Sequence, residues 1–479
     1  MQRWARHFTC IAPDTPGYGQ SDPLPGEPDI RAFAQALLEF LDAIGLKKTA
    51  AYGFHTGGMV LVNAMRRDPH RFTTLAIGGY AVWTREEMAM FDQFYLPPFR
   101  PSPYGEHLTW LWNRCLEQTW FFPWFDVRDC NRLSVAHDDP LRIDGMVRDI
   151  LESGDAYRTA YGAALRSSSD IPGPDAITPP VLIAAYNGDP LQAHIERLGA
   201  MPPNWKAQPV ATPSDLEAVC LAHLLQTPTP PCPPLAESND GGFVRVTQAD
   251  FDGLIHWRGA PDATTVLLHG PGRSVELLEL GDALAIDLPG HGLSDDWPAD
   301  CAPDLSTWGT IVAAAITAIG VRGTPLIVGE GWSALLAAQE AIELGARGWG
   351  AICAHIPLPQ HSPRWQAAIP DPSPDRFGQY LAATWSAVRA AHFFWPWFEA
   401  KAANAIPFST ASIAPEQLAR EHLSMIRARA GRNLLRALIA VDRHALVMAA
   451  PTNVIWEMAE WARKRHDLWT PGGGSQGAT

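Results

Sequence analysis

The sequence predicts an α/β architecture built twice in tandem, each copy a mostly parallel sheet flanked by helices. Two observations carry this. Short apolar runs alternate with helical stretches along the chain, and strand–helix alternation means a mostly parallel sheet with covering helices. Landmarks also recur in the same order at one offset: Asp14-Thr-Pro-Gly-Tyr-Gly-Gln-Ser-Asp22 returns as Asp287-Leu-Pro-Gly-His-Gly-Leu-Ser-Asp295. The aromatic run ending Phe-Phe-Pro-Trp-Phe125 returns as the run ending Phe-Trp-Pro-Trp-Phe398. Asp14 to Asp287 and Pro123 to Pro396 are both steps of 273 residues.

In the first half, strands are expected at Phe8–Ala12, Thr49–Tyr52 and Thr74–Ile77, with helices at Ile30–Ile44 and Gly57–Arg66. In the second, Phe243–Thr247 and Leu254–Trp257 read as an antiparallel opening pair. Thr265–Leu268 and Ala283–Ile286 are continuous apolar runs, as strands buried on both faces require. Ser306–Ile319 and Ser333–Leu344 read as helices on either side of a strand at Leu326–Val328. The domains expected are 1–225, with a Trp-rich helical cap at about 84–150, and 243–469, with a cap at about 357–430. Between them 226–242 is a Pro/Gly-rich linker, and 470–479 is a Gly-rich disordered tail.

Composition excludes more than it selects. Of 479 residues, 47% are hydrophobic and 18% charged, a globular balance. A net charge of −14 without a basic stripe argues against nucleic acid. The seven cysteines form no Cys-x-x-Cys pair and have no histidine at metal-ligand spacing, so free thiols are expected, with neither disulfides nor a metal. No run approaches the ~20 apolar residues of a membrane span, and no secretory signal is present; the cytoplasm is the default location. Glycine-rich stretches lack dinucleotide or phosphate-loop spacing, so no cofactor is implied.

These motifs resemble the α/β-hydrolase superfamily, the branch with a helical cap. Asp-x-Pro-Gly-x-Gly-x-Ser-Asp resembles its loop after the fourth strand. Gly53-Phe-His-Thr-Gly-Gly58 sits where the family places its nucleophile elbow between strand and helix. His269-Gly-Pro-Gly272 follows the third strand, as one oxyanion-hole loop does. Val181 to Pro190 resembles the strand and turn that carry the catalytic acid. By this resemblance the first copy begins at the fourth strand and lacks the first three.

The departures shape the chemistry. His55 stands where Ser, Asp or Cys is usual, and the first copy has Thr212-Pro-Ser-Asp215 in place of the Gly-x-Gly-His after its last strand. The second copy has Gly331 at the elbow, Ser333 two residues late, and Asn453 at the acid position. An imidazole at the elbow can act as nucleophile or general base, and is long enough to meet Asp189 directly. The resulting assignment makes His55 and Asp189 the reacting pair, with the Thr56 N–H facing the oxyanion. His107, Trp112 and Trp124, with Tyr80 at the rim, are candidate substrate-binding residues, among the aromatics Trp120, Phe121 and Phe122. The second copy is expected to be non-catalytic, with His291 and His355 structural or solvent-facing. The function expected is hydrolysis of an ester, thioester or C–C bond of a small apolar molecule. Its rival is a small-molecule-binding or scaffold protein that has lost the chemistry. An internal pseudo-dimer or a homo-oligomer is the expected assembly.

Overall fold

The computed structural model describes residues 3–134, 139–234, 238, 240–298, 301, 303–345, 347–350, 363–442 and 445–446. His355, Cys353, Asn453 and the tail at 470–479 lie outside them. The chain divides into two compact units, 1–100 with 110–236, and 101–109 with 237–479.

The first unit holds a parallel sheet in the order β1 (Thr49–Phe54), β2 (Phe72–Gly78), β3 (Val181–Tyr186), β4 (Trp205–Val210). Seven helices accompany it: α1 (Ile30–Ala43), α2 (Thr56–Arg67), α3 (Arg85–Phe94), α4 (Glu106–Gln118), α5 (Pro140–Ser153), α6 (Tyr157–Leu165) and α7 (Pro213–Leu225). The first residues of α4 fall within the segment assigned to the second unit. Side-chain alternation divides the core. Leu75, Ile77, Val181 and Ile183 pack with Leu38, Leu41, Val62 and Met65 of α1 and α2. Ala76, Leu182 and Ala184 turn the other way, against Leu216, Cys220 and Leu224 of α7. Each fully buried Leu, Ile or Val contributes about 1.5–3 kcal/mol. Pro209 in β4 removes a ladder donor, which an edge strand tolerates.

Helix starts follow their caps. The Asp29 carboxylate accepts the N–H groups of Arg31 and Ala32, both at 3.0 Å, and starts α1. Thr84 with Glu87 forms a capping box for α3. The Thr212-Pro-Ser-Asp215 stretch is another, with Pro213 in the first turn of α7.

Phe8–Ala12 does not form a strand, contrary to expectation. A strand exists through a neighbour's backbone, and among the described residues β1 ladders only with β2. Phe8 and Ile11 still pack as side chains against the two cores. Each of the other expected strands and helices is present, with ends shifted by no more than three residues.

The second unit has a six-stranded sheet in the order β10-β9-β7-β8-β6-β5. Its strands are β5 (Gly241–Gln248), β6 (Phe251–Arg258), β7 (Thr265–Leu268), β8 (Leu284–Ile286), β9 (Leu326–Gly329) and β10 (Arg347–Gly350). β5 and β6 form the antiparallel pair, and β7 lies between β8 and β9, parallel to both. α8 (Leu305–Ile319) and α9 (Ala334–Glu343) pack on a core with Val266, Leu268, Ile286 and Ile327. α10 (Gln379–Ala391), α11 (Pro415–Arg427) and α12 (Gly431–Ala440) follow.

Local geometry repeats at the 273-residue step. Among the described residues each unit has one isolated antiparallel bridge, Phe121 with Arg132 and Phe394 with Ala405, around the cis bonds Phe122–Pro123 and Trp395–Pro396. The Asn131 amide donates to the Asp126 carbonyl at 3.3 Å, and Asn404 to Glu399 at 2.8 Å. The Ser21 hydroxyl donates to the Asp14 carbonyl at 2.8 Å, and Ser294 to Asp287 at 2.6 Å.

Candidate active site

β1 delivers the chain to the tip of the first sheet and α2 carries it away. The turn between them is tight: a Cβ on Gly53 would lie 2.5 Å from the backbone of Gly57. His55 occupies the turn at φ 48°, ψ −111°. Histidine is among the few non-glycine residues that tolerate positive φ, and the strain is held by what surrounds it. The His55 N–H donates to the Gly78 carbonyl at 2.9 Å, and its carbonyl accepts from Met59 N–H at 3.2 Å.

β3 ends at Tyr186, and the turn after it places Asp189. The His55 Nε2 lies 3.1 Å from both oxygens of that carboxylate. The Asp189 side chain is fully buried, and Oδ1 also accepts the Leu191 N–H at 2.8 Å. The His55 side chain is 34% exposed. A carboxylate only accepts, so the neutral ring carries its proton on Nε2 and its lone pair on Nδ1. Nδ1 is therefore the nitrogen available for chemistry. Thr56 is the first residue of α2; the first N–H groups of a helix have no intrahelical partner and carry the positive end of its dipole. Phe54 stacks on the imidazole, 3.9 Å between centroids and 15° from parallel, and is itself exposed.

The remaining candidates lie elsewhere. Tyr80 is 2% exposed and packs in the core, so it is not a pocket rim. The apolar ring lies beside α1 and α2 because the residues after β2 turn inward; burial raises its phenol pKa. Trp112 is buried in α4 at 2% exposure. Trp124 donates to the Tyr95 carbonyl at 3.1 Å, lies under the Arg114 guanidinium, and joins Phe91, Phe122 and Phe125 in an aromatic cluster. These are packing contacts of the helices between β2 and β3. His107 belongs to the segment grouped with the second unit, edge-on to Trp385 at 4.8 Å. Its Nδ1 accepts the Ser102 N–H at 3.0 Å, and burial lowers its pKa to about 4.

Two residues at the site went unread in the sequence. Gly79 runs beneath the His55 ring: a Cβ there would be 2.7 Å from Cδ2 and 3.0 Å from an Asp189 oxygen. His194 stands five residues after Asp189, a spacing that could have drawn notice.

The second elbow has the same backbone sense and other contents. Gly331 has φ 55°. Ser333 is fully buried and its hydroxyl donates to the His269 carbonyl at 2.8 Å. Glu330 pairs with Arg273 at 2.8 Å. His269 is buried, its Nε2 accepting the Leu288 N–H at 3.0 Å, and His291 is buried too. Among the described residues no His/Cys/Asp/Glu cluster is arranged to hold a metal. No described helix is long and apolar enough to cross a membrane.

Residues 2–95 match the family model described as the alpha/beta hydrolase fold. Solved structures resemble it at low identity. A carboxylesterase of the thaumarchaeon Nitrososphaera gargenis is 12% identical with a TM-score of 0.35, over 44% of this chain and 78% of that one. An esterase from Exiguobacterium antarcticum is 16% identical with a TM-score of 0.34, over 44% and 78%. The Cif epoxide hydrolase from Acinetobacter nosocomialis is 14% identical with a TM-score of 0.31, over 45% and 71%. No curated protein sequence matches the chain.

Proposed function

We propose that the first unit is a hydrolase of an ester, thioester or C–C bond in a small apolar molecule, with His55 as its reacting group. The observation that carries this reading is the imidazole held at the elbow with Nε2 3.1 Å from both oxygens of a buried carboxylate. The bare Nδ1 either takes a proton from water or attacks the carbonyl carbon itself. Asp189 fixes the tautomer and stabilises the imidazolium that forms. The oxygen of the substrate carbonyl, gaining negative charge, is met by the Thr56 N–H at the start of α2. A carboxylate nucleophile of the dehalogenase or epoxide-hydrolase kind is disfavoured, because the elbow bears no carboxylate.

The second unit is a non-catalytic copy. Gly331 offers no side chain and Ser333 is bonded inward. The repeated contacts at the 273-residue step support descent of both halves from one duplicated unit.

The test is turnover of p-nitrophenyl esters and thioesters by the full chain. His55→Ala and Asp189→Ala are each expected to lower kcat by about 10³-fold or more. Wild-type rates retained by His55→Ala would overturn the assignment and favour the binding-protein reading.

A further inference from the structure

His194 stands beside the reacting pair and has no part in the chemistry above. It lies in the 3₁₀ turn Gln192–Arg197 that follows Asp189, and is 3% exposed. Its Nδ1 accepts the Val82 N–H at 2.9 Å. A nitrogen that accepts an N–H carries no proton, so the neutral ring bears its hydrogen on Nε2. Trp83 meets the ring edge-on at 4.9 Å. The titratable groups around it are Arg197 of its own turn, Glu87 of α3, Asp189 and His55. Burial first, then the Arg197 charge, hold its pKa down at about 4. At neutral pH the acceptor is therefore intact.

The bond to Val82 matters because of where the chain goes between Gly78 and Val82. The Gly78 carbonyl accepts from His55 N–H, and Gly79 N–H donates to Ala184 of β3 at 2.8 Å. Gly79 then passes so close under the imidazole that a methyl would not fit. Three residues on, Val82 is gripped at both polar atoms. Its N–H goes to His194, and its carbonyl accepts from Arg197 at 3.1 Å, which also pairs with Glu87 at 2.9 Å. The crossing that forms the floor of the His55 ring is thus fastened to the turn that carries Asp189.

We propose that His194 is a positioning residue: its bare Nδ1 pins the Gly79–Val82 crossing to the acid-bearing turn and so keeps the His55 ring in register with Asp189. This rests on the reading of His55 as the reacting group. Protonating His194 would remove the acceptor and place a cation beside Arg197, loosening the crossing at acid pH.

The test compares His194→Phe, which keeps a ring but no acceptor, with His194→Asn, whose amide oxygen can take the place of Nδ1. Three readouts are followed in the full chain: imidazole ¹⁵N spectra, exchange of the Val82 amide, and kcat and KM on a p-nitrophenyl ester. In the wild type His194 should show the Nε2–H tautomer. The Phe variant should speed Val82 exchange, shift the His55 ring signals, and lower kcat about 10- to 100-fold with little change in KM. The Asn variant should restore all three. An Nδ1–H tautomer at His194, or a Phe variant with unchanged His55 signals and Val82 exchange, would overturn the proposal. An Asn variant as defective as Phe would do the same. If even the wild type turns over no ester, thioester or C–C bond substrate, the hydrolase reading falls, and the spectra and exchange still decide the positioning role.

Discussion

The loops that begin at Asp14 and Asp287 share a sequence pattern and an internal hydrogen-bond scheme, yet their aspartates live in different surroundings. Asp14 is exposed, and its carboxylate accepts the Gln20 N–H at 3.0 Å. Asp287 is 1% exposed. It meets His256 Nδ1 at 2.7 Å and accepts the N–H groups of Val275 at 2.8 Å and Leu293 at 3.0 Å. The difference comes from the neighbours: β6 and His269, just after β7, meet the second loop, whereas among the described residues no strand of the first unit plays that part. A short motif encodes its own turn, but the surrounding sheet decides whether its carboxylate is an anchor. The elbows teach the complementary lesson. His55 and Gly331 share positive φ, but only at His55 is the strain tied to a polar partnership. Glycine adopts that conformation at little cost, so the second turn keeps the backbone without a side chain.

The contrast between the elbows is broken most severely at Gly79. Gly79→Ala places a methyl against His55 and Asp189 at positive φ. Its ester turnover should fall as far as that of His55→Ala, with a stability cost of roughly 1–3 kcal/mol from the backbone alone. A Gly79→Ala enzyme of wild-type rate would show that the His55–Asp189 contact is dispensable.

The contrast between the loops predicts unequal costs for one substitution. Asp287→Ala should destabilise the second unit by about 3–5 kcal/mol, since it strands His256 and two backbone donors. Asp14→Ala should stay within about 0.5 kcal/mol. Urea unfolding of each variant checks this. Burial pushes the Asp287 pKa up, but the His256 bond, the nearby His269 and the two N–H groups outweigh it, and the net shift is downward. The stability it contributes is therefore present above the ordinary aspartate pKa and lost as pH falls through the depressed folded value. Asp287→Asn should flatten the acid limb of the stability curve.

Glu340 sharpens the picture from the opposite sign. It is fully buried in α9, and among the described residues neither carboxyl oxygen has a hydrogen-bond partner. Burial, with Glu343 adding to it, raises its pKa well above the usual range. Stability is then fullest below the ordinary glutamate pKa and declines as pH rises toward the folded value. Glu340→Gln should stabilise the second unit by about 1–3 kcal/mol at pH 8 and by little at pH 4.5. A stability difference independent of pH would contradict this. The smallest effect is expected at Ser333: Ser333→Ala should leave ester turnover unchanged and cost about 1 kcal/mol of stability for the lost bond to His269.

Much of the fold could be read from apolar periodicity and the recurring landmarks. The continuous apolar runs Thr265–Leu268 and Ala283–Ile286 read as strands buried on both faces, and both are strands. Phe8–Ala12 misled because its apolar pattern is that of a strand, while a ladder depends on a partner that no local pattern reveals. At the site, His55 and Asp189 were legible because a family pattern assigns their places. Gly79 and His194 were not, since one acts by having no side chain and the other through a backbone N–H from a distant strand end. The aromatic candidates Trp112 and Trp124 are engaged in packing, and a Trp that packs and a Trp that binds present the same letter at the same spacing.

The close pass of Gly79 beneath His55 also sets a covariation rule. A serine at an elbow is too short to reach across that space, so a chain with serine there can carry a larger residue after its next strand. A chain whose elbow histidine leans on a carboxylate cannot. In sequences descended from this one, loss of the glycine at position 79 should therefore go with loss of the histidine at position 55. The pair Gly-x-His with a glycine doublet ending the following strand would then separate the histidine-elbow branch from the rest, before any enzyme is assayed.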